Sequence, residues 1–219
     1  MFWKQSLIGE DLRHWIEDNY DWVHEHRPTW WKTAQLVTPT RKHFSATHGD
    51  DHKTAQAVTH DIMRLLGMDY QIQLEPLPEL PDELRHEYGK SSEVVGEYWH
   101  DDDAPLITYR PSLLRTPLAF INTMVHELIH ARLAPVADEL PGGLVAHELA
   151  TDLHCIIAGF GVIQLQAAEQ MGWTGYMTQP SRAVALAEFL RLKEFEPEQA
   201  LKHLSGRPNR WLKKAMKAA

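Results

Sequence analysis

The stretch NTMVHELIHARL, residues 122–133, decides how the rest of the chain is read. Leu118, Phe120, Ile121, Met124, Val125, Leu128 and Ile129 make this segment an apolar helix, interrupted by His126, Glu127 and His130. Histidines at i and i+4 share one helix face, so both imidazoles can reach a single ion. Glu127 lies about 100° round the helix from His126, which can bring its carboxylate beside an open position on that ion. Two imidazoles and a carboxylate on so apolar a segment are costly to bury without partners. With 14 histidines in the chain, the five-residue pattern H-E-x-x-H decides nothing alone; its context has to supply a third ligand.

The next helical segment offers one. In GGLVAHELATDLHCIIAGFG, residues 142–161, Glu148 and Asp152 stand one turn apart on a stripe that Cys155 and Gly159 continue. A catalytic zinc takes three protein ligands and keeps one position for water. Glu148 suits the third place, and Asp152 suits accepting the N–H of a ligating histidine, which fixes its tautomer. His147 is the rival third ligand and would make a three-histidine site. Gly159 is expected to let the two helices approach closely. Pro141, Gly142 and Gly143 supply the turn between them.

Outward from this pair, the pattern places a helix over 10–26, ended before Pro28, with Leu12, Trp15, Ile16, Tyr20 and Val23 on one face. Residues 34–48 read as strand or loop. A second helix over 50–67 has Asp50 or Asp51 as N-cap and Gly67 as its stop. DYQIQLEP, residues 69–76, reads as a strand ended by Pro76, and 76–90 as a linker. Runs 93–99 and 105–109 flank an acidic turn and predict a hairpin. Helices follow over 117–133, 144–170 and 181–195, with weaker ones in the tail. The order predicts an α+β fold, a small sheet first and helices after. There is no internal repeat.

Composition narrows the function. The chain has 219 residues, 43% hydrophobic and 24% charged, as expected of one globular domain with a proper core. A net charge of −8 argues against a nucleic-acid partner. Cys155 is the one cysteine, so neither an intrachain disulfide nor a thiolate zinc site can form. The N-terminus lacks the apolar core of a signal peptide, and no run approaches eighteen apolar residues; a cytoplasmic protein without membrane contact is expected. The motif-like THGDDH (47–52) reads as a helix cap, WHDDDAP (99–105) as a hairpin turn, and the basic tail RPNRWLKKAMKAA as a solvated terminal helix.

The pair H126-E-L-I-H130 and E148-L-A-T-D152, separated by seventeen residues, resembles the gluzincin class of zinc metallopeptidases, including its small single-domain members. The resemblance covers about residues 105–190 and implies a zincin-like fold in which His126, His130 and Glu148 hold Zn2+, Asp152 supports a histidine, and Glu127 is the general base. PLITYR (105–110) resembles the edge strand along which such enzymes bind an extended peptide. GYMTQPSRAVALAEFL (175–190) resembles a segment that follows the second helix in some of them. It implies Tyr176 as the group that steadies the oxyanion, with His147, His154, Tyr109 and Arg182 as alternatives. The expected function is hydrolysis of a peptide or protein substrate. The alternatives are a zinc-binding scaffold without proteolysis, or a protease effector aimed at one target. Residues 1–90 match nothing in that class and could cover the site or dock a partner.

Overall fold

The computed structural model describes residues 6–46, 49–69, 71–77, 96–99, 105–170 and 175–218. The fold is α+β, mostly helical with a small sheet. Helix α1, Glu10–His26, has Glu10 and Asp11 in its first turn, where carboxylates meet the positive end of the helix dipole. Pro28 opens the short helix α2, Pro28–Thr33, since a missing N–H costs nothing at a helix start. Helix α3, His52–Leu66, is capped by Asp51, whose side chain accepts from the Thr54 amide at 2.8 Å. It stops at Gly67, whose φ of 68° is open to glycine without penalty. Residues 34–46 form no strand.

Three short strands make one sheet: β1, Gln73–Pro76; β2, Gly96–Trp99; and β3, Leu106–Tyr109, in the order β1-β3-β2. The expected antiparallel pairing is present, with Tyr98 opposite Ile107. The expected edge position of residues 105–109 is not. Strand β1 pairs parallel with β3 on its other side, Leu74 opposite Ile107, and Ile107 and Tyr109 are buried, as befits a central strand. Among the described residues the edges are β1 and β2, and β2 is the strand that packs against the His126–His130 helix. The linker expected over 76–90 lies outside the described residues beyond Leu77, as do residues 93–95 and the acidic turn at Asp101–Asp103.

Helix α4, Pro117–Leu133, carries the first motif. After a 3-10 stretch the chain turns through Gly142 and Gly143, both at positive φ, as the Pro-Gly-Gly sequence predicts. The single helix expected over 144–170 is instead four pieces: a 3-10 turn at Gly143–Ala146, helix α5 at His147–Cys155, a π turn at Ile156–Phe160, and helix α6 at Gly161–Gln170. The break is at Gly159, with φ 100°, where a Cβ would stand 1.8 Å from the carbonyl oxygen of Gln35. The Val37 amide donates to the Gly159 carbonyl at 3.0 Å. Gly159 therefore admits the 35–37 backbone and not the first motif helix, which corrects the expectation for it.

Helix α7, Gln179–Leu192, is capped by Thr178. Short α8, Glu198–Leu201, leads to α9, Gly206–Ala218. The last helix packs Pro208, Leu212 and Ala215 against α7, so one face of the basic tail is interior. The run Gly143–Gln170 is apolar and long enough to cross a membrane by composition, but 83% of its most apolar window is buried in the protein. One continuous core joins Ile16, Tyr20 and Val23 of α1 with Met124 and Leu128 of α4, Leu153 of α5 and Phe189 of α7.

Candidate metal centre

Helices α4 and α5 pack side by side and turn their polar stripes toward each other. His126 and His130 come from α4, with rings 4.7 Å apart and nearly perpendicular. Glu148 comes from the first turn of α5. Its Oε2 lies 3.5 Å from His126 Nε2 and 3.2 Å from His130 Nε2. All three ligand atoms fall within 4.8 Å of one another. Two ligands about 2.05 Å from a tetrahedral ion stand roughly 3.3 Å apart, so the two histidine–glutamate separations match what a zinc-sized tetrahedral ion requires. The donor set, two imidazole nitrogens and one carboxylate oxygen, also suits zinc.

Each histidine is held from behind. His126 Nδ1 donates to Asp152 Oδ1 at 3.1 Å, so with an ion bound its Nε2 would be the deprotonated, ligating nitrogen on the Glu148 side. His130 Nδ1 lies 3.0 Å from His147 Nε2, with the Thr151 hydroxyl at 3.4 Å. His147, the rival ligand, thus sits on the far side of the His130 ring and would accept a hydrogen bond from His130 Nδ1–H when Nε2 binds an ion. Two partners therefore fix two tautomers, the usual requirement for ligating histidines.

Asp152 is buried, and its second oxygen accepts from three donors: the amides of Tyr176 at 2.7 Å and Met177 at 2.9 Å, and Arg182 Nη2 at 3.0 Å. Burial would raise its carboxyl, but the His126 N–H, the Arg182 guanidinium and the Met177 amide hold it well below the ordinary carboxylate range. Burial likewise disfavours a charged His126, yet Asp152 and Glu148 outweigh it and push His126 up to about 10. His130 goes the other way, down to about 4, through burial and the charge of His126. The hydrogen bond to His126 brings Glu148 down to about 2. The pocket thus keeps its carboxylates ionised and its two histidines unequal.

Glu127, beside His126, is buried, and its charge acts on both His126 and Tyr176. The Tyr176 ring stacks on His126, centroids 6.3 Å apart and planes 13° from parallel, while much of the residue remains exposed. Partial desolvation and then the neighbouring Glu148 carboxylate raise its phenol above the usual value. The other oxyanion candidates lie elsewhere. His154 is in the core against Asn19 and Trp22. The Tyr109 hydroxyl is engaged by His52 Nδ1 at 2.9 Å, and Arg182 is enclosed behind Asp152. The sequence reading missed His147 and Arg182 as supports. A lone arginine within the apolar run RAVALAEFL was the available signal for the second. Cys155 is buried, and burial first, then the Asp152 charge, raises its thiol, as expected of a packing residue.

Compared with protein-family models, with curated proteins and with solved structures, the chain matches none.

Proposed function

We propose that the chain is a zinc-dependent metallopeptidase of the gluzincin kind. The observation that carries the reading is the convergence of one ligand atom each from His126, His130 and Glu148 within 4.8 Å, with both histidine–glutamate separations at tetrahedral spacing and Glu127 buried alongside. A zinc ion held by these three groups would supply Lewis acidity to a water nucleophile and to the scissile carbonyl. Glu127 accepts the proton of the attacking water and passes it to the leaving amine. Its burial keeps that carboxylate away from bulk solvent. The Tyr176 phenol, protonated at neutral pH as tyrosines ordinarily are, donates to the oxyanion that develops on the carbonyl.

An extended substrate peptide pairs by strand addition with the outer edge of β2, in place of the 105–109 strand expected from the resemblance. Two facts support β2: it is an edge among the described residues, and it packs along the His126–His130 helix.

The test is a peptide-library cleavage assay on protein with measured zinc content. Wild type should hold about one zinc per chain and cleave. Glu127→Ala should keep the zinc and lose about 10²–10⁴-fold in kcat. Equal cleavage by both removes Glu127 as the base. Zinc binding with no cleavage by either supports the scaffold reading instead.

A further inference from the structure

Arg182 has 1% of its side chain exposed, on a helix whose neighbouring positions are Ala183, Val184, Ala185 and Leu186. A guanidinium in such surroundings is costly to bury unless it is paired and hydrogen-bonded. Its partner is Asp152 Oδ2, and that oxygen also gathers the amides of Tyr176 and Met177. The opposite oxygen of the same carboxylate holds His126 Nδ1. One buried carboxylate therefore joins a metal ligand, the segment bearing Tyr176, and helix α7.

Gly175 makes the junction possible. Its φ is 107°, and a Cβ there would come within 2.1 Å of Arg182 Nη2 and 2.9 Å of Asp152 Oδ2. Only glycine lets the backbone pass over the ion pair closely enough to deliver the next two amides to Asp152.

We propose that Arg182 and Gly175 are positioning residues of the metal site: through Asp152 they hold His126 and Tyr176 in one frame, so that the order of residues 175–177 and the affinity for zinc are coupled. The proposal rests on the zinc reading above. A merely structural ion pair predicts something else: its loss lowers the melting temperature and leaves the zinc affinity of the folded protein unchanged.

The experiment measures the zinc dissociation constant by chelator competition for wild type, Arg182→Met and Arg182→Lys, with circular dichroism confirming that each is folded at the assay temperature. Arg182→Met should bind zinc about 10–100-fold more weakly, the effect expected of losing support behind a ligand. Arg182→Lys, which keeps the charge, should recover part of that loss. Gly175→Ala should weaken binding in the same direction. Because coupling is reciprocal, zinc should slow hydrogen exchange at the Tyr176 and Met177 amides of the wild-type protein. This last measurement decides the matter if Arg182→Met does not fold, and exchange rates that zinc leaves unchanged would then overturn the proposal. A folded Arg182→Met that binds zinc within twofold of wild type overturns it alone. A wild-type protein that takes up no zinc overturns the zinc reading, and this coupling with it.

Discussion

Two buried aspartates in this protein use nearly the same bonds for different ends. Asp61, on α3, accepts from the Ser45 amide at 2.6 Å, the Ser45 hydroxyl at 2.7 Å and Arg64 Nη2 at 3.1 Å. Asp152 accepts from two amides, an arginine and a histidine. Each carboxylate is thus met by backbone N–H and by a guanidinium. The surroundings of those partners differ. Arg64 is three residues from Asp61 on the same helix, its side chain 59% exposed, and the cluster pins a neighbouring loop. The Asp152 partners come from three separate elements, its arginine is 1% exposed, and its histidine presents the other ring nitrogen to Glu148. A well-bonded buried carboxylate does not by itself mark a site. The far side of its partner does.

That contrast can be broken most forcefully at the His126–His130–Glu148 group. Glu148→Ala should reduce bound zinc from about one per chain to near none, measured by elemental analysis after dialysis, whereas Asp61→Ala should keep the full complement. Unchanged zinc in Glu148→Ala would remove the distinction at its root. A smaller effect is expected one bond further out. Asp152→Asn should weaken zinc about 10–100-fold in a chelator competition; Asp61→Ala should shift it less than about twofold, the figure expected of a group with no ligand behind it.

The smallest effect concerns stability. Asp61→Ala leaves the Ser45 amide unpaired and should cost about 1–3 kcal/mol in urea unfolding at pH 7. Burial raises the Asp61 carboxyl, but Ser45 and Arg64 outweigh it, so its pKa is lowered in the folded protein. A depressed carboxyl stabilises the fold above the unfolded pKa of about 3.9 and loses that contribution as pH falls through the folded value. The gap between wild type and Asp61→Ala should therefore shrink below about pH 4. A gap that widened in acid would mean that Asp61 is not held as an anion.

What the sequence made legible was local. The Asp51 cap, the Gly67 stop, the Pro-Gly-Gly turn and the limits of the helices at Glu10–His26 and Pro117–Leu133 follow from side chains acting on their own backbone within a few residues. His126, His130, Glu148 and Asp152 were legible because helical periodicity assigns them to faces, and two faces suffice for a site. The central place of β3 was not, because it depends on pairing with Gln73–Pro76, some thirty residues earlier in the chain. Arg182 escaped for a related reason. Its role depends on a glycine seven residues away whose missing Cβ matters only once two helices and a turn have met.

The break at Gly159 limits how this chain can be divided. The segment around Gln35 enters the bend in the second motif helix and donates an amide to it. Asn19 meets His154 on that helix, Trp15 donates to the Pro141 carbonyl, and Tyr20 to that of Ala185. A fragment cut to begin near residue 105 would keep His126, His130 and Glu148 and lose the wall they lean on. Residues 15–37 thus serve as internal scaffolding for the two motif helices, which lean on contacts from well before residue 105.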